Sequence, residues 1–178
     1  MQASVIKPCV AKSALSFYPR AARFTATVVV LAAMSGSASA AAPKALKNVL
    51  GGPLKCCCTS PVTGYYRDGF CQTDASDHGK HVICAQVTQR WLEFSRSRGN
   101  DLMTPSPRNN FPGLKDGDKW CLCASRWKEA YDAGVAPPVF LACTHVKALE
   151  YVTLESLQQH ALDAESATAD AAAAKQEL

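Results

Sequence analysis

Apolar and polar positions divide the chain into short ordered stretches separated by turn-rich segments. The run His81-Val82-Ile83-Cys84-Ala85-Gln86-Val87 is apolar and β-branched, which predicts a strand. Thr88 can then cap a helix from Gln89 to about Arg98, and Gly99 closes it. Lys119 to Ala124 reads as a second strand. Ser125 follows as a cap, and the next helix sets Trp127, Ala130 and Tyr131 on one face before Gly134 ends it. Val139 to Thr144 reads as a third strand and Leu149 to Val152 offers a fourth. Thr153 can cap a last helix that buries Leu154, Leu157, Ala161 and Leu162.

Between these stretches the chain is punctuated by turns. Gly51-Gly52-Pro53, Ser60-Pro61, Gly64 and Asp68-Gly69 predict loop and hairpin from Leu50 to Cys71, with Tyr65-Tyr66 on a tight Asp-Gly turn. Residues 100–117 carry Pro105, Pro107 and Pro112; a long proline-rich connection of this kind is where function concentrates. The expected class is α+β: one small domain, a short mixed sheet, about three helices and long irregular loops, with strand order left open.

The two ends differ from this middle. Residues 1–24 mix Lys7, Lys12, Arg20 and Arg23 with Ser4, Ser13 and Ser16, and the first acidic residue is Asp68. An apolar stretch from Ala26 to Met34 follows, then small residues with Ala38-Ser39-Ala40 as a signal-peptidase site. That is the composition of a transit peptide followed by a signal peptide. Residues 1–40 are expected to be a cleavable leader to a plastid and onward to the thylakoid lumen, with a mitochondrion or secretion as alternatives. The apolar stretch is shorter than the roughly 20 residues a permanent span needs, so no permanent membrane anchor is expected. Residues 41–47 read as a linker, 48–163 as the domain, and 164–178 as an alanine-rich tail, disordered or a frayed helix.

Charge narrows the partners. The formal net charge is +4, but from residue 42 onward 15 Lys and Arg balance 15 Asp and Glu. Nucleic-acid binding through a positive field is therefore not expected. Arg90, Arg96 and Arg98 read as a solvated helix face. Apolar residues at 48% and charged residues at 19% suffice for a buried core. Composition does not set the oligomeric state.

Five motifs in order carry a resemblance. They are Leu50-Gly51-Gly52-Pro53-Leu54, Gly64-Tyr65-Tyr66-Arg67-Asp68-Gly69, Phe94 to Leu102, Trp120 to Ala130, and Gly134-Val135-Ala136-Pro137-Pro138. Over about residues 48–163 the chain resembles the bacterial family catalogued as domain of unknown function 2237. The resemblance implies a compact α+β domain of unassigned activity and brings no mechanism with it. Cys57, Cys71, Cys84, Cys121 and Cys123 fall on the family's pattern, as do His81, His145, Asn100 and Asp101. Cys56, Cys58 and Cys143 look like additions, and Cys9 belongs to the leader.

Several chemistries remain open for these residues. On a strand, Cys121 and Cys123 would share a face, too far apart and too parallel to bond each other; their plainest reading is as small buried apolar side chains. Zinc would need ligands such as Cys57, Cys71, His81 and Cys84, with Cys121 and Cys123 as further candidates, but no paired zinc-finger spacing is present. An oxidising compartment would permit disulfides among Cys57, Cys71 and Cys84, and the adjacent Cys56-Cys57-Cys58 could be reactive.

A nucleophilic enzyme could draw on Cys57 or Cys71, His81 or His145, and Asp101. A small-molecule pocket could draw on Tyr65, Arg67, Asp68, His81, Asn100, Asp101 and Arg126. That binding domain is the first expectation, with a thiol-dependent enzyme or redox protein using Cys57, Cys71 or Cys84 as its rival and a structural zinc domain third. No phosphate loop, nucleotide fingerprint or motif with a fixed mechanism is present.

Overall fold

A computed structural model describes residues 46–164; the leader, most of the linker and all but the first residue of the tail lie outside the described residues. Two strands, β1 (His81–Gln86) and β2 (Lys119–Cys123), pair antiparallel. Each is followed by a helix, α1 (Gln89–Ser97) and α2 (Ala124–Asp132), and a short helix α3 (Leu154–Gln158) ends the domain. The class is α+β, with the sheet reduced to two antiparallel strands. No helix among the described residues is long and apolar enough to cross a membrane.

Caps set the helix starts. The Thr88 hydroxyl accepts the Trp91 N–H at 3.2 Å, and Thr153 accepts the Ser156 N–H at 3.2 Å, each satisfying a first-turn donor that has no intrahelical partner. Gly99 takes φ +79° just past α1, a left-handed turn that suits glycine. Arg90, Arg96 and Arg98 are exposed on α1, as the pattern predicts.

Two stretches that read as strands are otherwise. Val139 and Phe140 lie against β1, with Phe140 N–H donating to the Cys84 carbonyl at 2.9 Å. The next two N–H groups, of Leu141 and Ala142, turn to the Asp163 carboxylate at 2.7 and 3.0 Å. Pairing therefore stops, and Leu141–Cys143 forms a 3-10 turn. Likewise Val146–Glu150 is a 3-10 helix, whose first turn is capped by His145 Nδ1 accepting the Lys147 N–H. Leu162, expected inside, is exposed, while Leu157 is fully buried.

The strands separate two interiors. Ile83, Ala85, Trp120 and Leu122 join Trp91, Leu92, Trp127 and Leu157 in the main core, against which α2 packs. Cys84 and Cys121 face each other across the ladder and belong instead to a sulfur cluster with Cys57 and Cys71. Alternation along a strand produces this division, because neighbours point to opposite faces. The outer hydrogen-bond positions are filled by buried threonines: Thr63 accepts the Cys121 N–H at 2.7 Å and Thr144 the Cys84 N–H at 3.2 Å.

Two disulfides then hold the irregular 50–71 segment to the sheet, Cys57–Cys84 and Cys71–Cys121, with sequence separations of 27 and 50. Chain-entropy arguments give each about 4 kcal/mol taken alone; the two loops overlap, so these do not add. The bonds stand in place of a larger sheet.

Candidate functional site

β1 begins at His81 and β2 ends at Cys123, and the two are cross-strand partners, with an irregularity in register between His81 and Ile83. Opposed residues in a ladder have Cβ atoms about 5 Å apart, so pairing alone brings imidazole and thiol together. Cys123 is also the N-cap residue of α2, two positions before the cap expected at Ser125. Its side chain makes no capping bond there, and a helix N-terminus favours negative charge.

The turn before β1 supplies a third group. Asp77 is fully buried. Its Oδ2 accepts the His81 backbone N–H at 2.8 Å and its Oδ1 pairs with His81 Nδ1 at 2.7 Å. Burial pushes the Asp77 carboxyl up, but hydrogen bonds from the His81 backbone, the His81 ring and Thr73 outweigh it, and the net shift is downward. Hydrogen bonding to Cys123, then charge on that sulfur and the Asp77 carboxylate, outweigh burial at His81 and raise its pKa to about 9. Room between the two groups is small: a Cβ at Gly79 would lie 2.7 Å from His81 Cε1 and 3.1 Å from Cys123 Sγ.

A cavity of about 50 Å³ adjoins the pair, lined by His81, Cys123, Trp91, Asn100, Leu102 and Arg126 among others. Of the residues proposed from sequence for a pocket, His81, Asn100 and Arg126 meet here. Asn100 Nδ2 donates to Ser95 Oγ at 3.0 Å, and Arg126 pairs with Glu129 at 3.0 Å. Tyr65 stacks on the His81 ring at 6.1 Å, and the Arg67 guanidinium lies 5.0 Å above Trp120.

The others are elsewhere. Asp101 accepts the Met103 and Thr104 N–H groups, which makes it a turn cap on the surface. Asp68 accepts the Phe70 N–H at 3.0 Å in a turn of its own. His145 is buried, caps a 3-10 helix and has its pKa lowered, chiefly by burial.

The cysteines require the largest correction. Cys57, Cys71 and Cys84 were the thiols expected to do chemistry, and all three are buried in disulfides, so none offers a thiolate. The same bonds overturn the zinc set of Cys57, Cys71, His81 and Cys84. The sulfurs of Cys57, Cys71 and Cys121 do lie within 4.8 Å of one another, but as stacked disulfides; His81 is engaged by Asp77 and Cys123. The expectation that Cys121 and Cys123 do not bond each other holds, while their common reading as buried apolar side chains fails: Cys121 is bonded to Cys71, and Cys123 is a half-buried thiol.

Asp77 and Trp91 carried no signal in the sequence. Cys123 fell on the family's pattern, but its place as the cap of α2 was not read from the sequence.

No curated protein matches the chain. A family model described as an uncharacterized protein conserved in bacteria matches residues 47–161, nearly the whole described domain. The chain belongs to that family, DUF2237.

Proposed function

We propose that this protein is a thiol-dependent enzyme in which Cys123 is the nucleophile, His81 its proton partner and Asp77 the group that orients His81. The observation that carries this reading is the convergence of the three at one strand end, with the carboxylate fully buried behind the imidazole. A nucleophile, a base within reach and a third group fixing the base is the recurrent arrangement of covalent catalysis. The Cys123 proton passes to His81 Nε2, and the sulfur bonds the electrophilic atom of the substrate. The leaving group departs with its bonding electrons and takes the proton from His81. Water then cleaves the covalent intermediate, giving one proton to the sulfur and the hydroxyl to the product. The cavity beside the pair receives the reacting group, so the small-molecule pocket and the thiol chemistry expected separately from sequence are one site.

Two buried disulfides also support the oxidising destination expected from the leader, the thylakoid lumen; N-terminal sequencing of the mature protein checks it.

Mapping iodoacetamide adducts on the native protein tests the nucleophile. Cys123 should be modified before Cys58 and Cys143, the other free thiols among the described residues. Burial pushes the Cys143 thiol up to about 11, which makes it slow. His81→Ala should cut the Cys123 rate by at least about 10-fold. Equal rates at Cys58 and Cys123, indifferent to His81→Ala, would overturn the proposal.

A further inference from the structure

Resting on that reading of Cys123, we infer that the Trp91 indole N–H is an oxygen-binding donor, and that the substrate is an acyl compound whose carbonyl oxygen it receives. Trp91 is 1% exposed, and its Nε1 is the one fully buried side-chain polar atom without a hydrogen-bond partner among the described residues. The fully buried Trp127 indole is satisfied: its Nε1 donates to the Pro137 carbonyl at 3.1 Å. A buried donor left unpaired works against folding, so an orphan in a functional region points to an acceptor that arrives with a ligand. Trp91 lines the same cavity as His81 and Cys123. At about 50 Å³, that cavity has less than twice the roughly 30 Å³ share of one water molecule. It admits a carbonyl with a small acyl group and leaves the rest of the substrate outside.

A donor on a residue that lines the same cavity as a nucleophile has a specific use in acyl transfer. When the Cys123 sulfur bonds the carbonyl carbon, the π electrons move onto oxygen, and a fixed N–H there stabilises that charge as it develops. The oxyanion then collapses and breaks the bond to the leaving group, which takes the proton from His81. S-acyl-Cys123 remains until water hydrolyses it to the carboxylic acid. Asn100 and Arg126 line the same cavity.

The test compares two reagents on the full-length protein, with adducts at Cys123 mapped by mass spectrometry. p-Nitrophenyl acetate needs an oxyanion donor; dithiodipyridine reacts at sulfur and has no oxygen. The variants are Trp91→Phe and a protein with benzothienylalanine at position 91, which keeps the ring shape and lacks the N–H. Both should acetylate about 100-fold more slowly than wild type and react with dithiodipyridine within about twofold of it. Acetylation at the wild-type rate in the benzothienylalanine protein overturns the oxygen-donor assignment and leaves the nucleophile standing. Equal slowing toward both reagents also overturns it, because Trp91 would then act only through packing. If wild-type Cys123 reacts with neither reagent, or His81→Ala changes neither rate, it is the nucleophile proposal that falls, and this inference with it.

Discussion

Replacing Asp77 by Asn changes one charge and almost no volume, and it bears directly on how the site works. The carboxylate accepts from the His81 backbone at 2.8 Å and from the ring at 2.7 Å, and it is fully buried. An Asn side chain has one acceptor oxygen. If that oxygen keeps the backbone N–H, the amide N–H₂ faces Nδ1. The ring must then accept at Nδ1 and carry its proton on Nε2, so the nitrogen facing Cys123 can no longer take the thiol proton. The negative charge that helps hold the ring protonated is lost as well.

A hydrogen bond between charged groups contributes about 1.5–3 kcal/mol, and about 2 kcal/mol corresponds to roughly 30-fold. Iodoacetamide modification of Asp77→Asn at pH 7, mapped to Cys123, should therefore be about 30-fold slower than wild type, and the His81 Cε1 proton should titrate at lower pH by NMR. A folded Asp77→Asn protein whose Cys123 reacts at the wild-type rate would refute the argument that a buried carboxylate sets the state of the pair.

Three further outcomes follow from the same geometry. A His81 pKa of about 9, above its ordinary 6.5, adds stability that is fully present below pH 6.5 and is lost as pH rises through 9. With the side chain 34% exposed, screening reduces this to on the order of 2 kcal/mol. Urea unfolding at pH 6.5 and pH 9.5 should show that loss in wild type and much less of it in Cys123→Ser, which removes the largest cause. Asp77, with its pKa lowered, acts in the opposite direction, contributing stability that disappears as pH falls below about 4. Gly79→Ala should lower the unfolding midpoint, because the added Cβ meets a ring that Asp77 holds in place. It should also slow Cys123 alkylation by about 10- to 100-fold, since the added Cβ drives His81 Cε1 from a 2.7 Å contact; an unchanged rate would show that the ring's position does not matter.

Local signals were enough for much of this domain. β-Branched runs, hydroxyl caps and closing glycines placed β1, α1, β2 and α2 to within a residue or two, and the start of α3, because each depends on groups a few positions apart. The failures were non-local. Val139–Thr144 has strand composition, but Asp163, some twenty residues later, takes the amides that would have continued the ladder. The five family cysteines, His81 and Asn100 were legible as chemistry-bearing residues, yet their assignments could not be read along the chain. Whether a sulfur is a disulfide or a thiol depends on which sulfur lies opposite, and those partners are 27 and 50 residues away.

Residue identities and short-range pattern thus established an electrically balanced α+β domain of the DUF2237 family, rich in cysteine and carrying a handful of reactive side chains. Folding in three dimensions chose among them. It spent Cys57, Cys71, Cys84 and Cys121 on holding an irregular segment to a two-stranded sheet. It left Cys123 as a thiol at a helix start, paired it across the ladder with His81, and put Asp77 and Trp91 around them. Cross-strand register and burial are properties of the packed chain, and both the Asp77 carboxylate and the Trp91 N–H owe their chemical interest to burial alone.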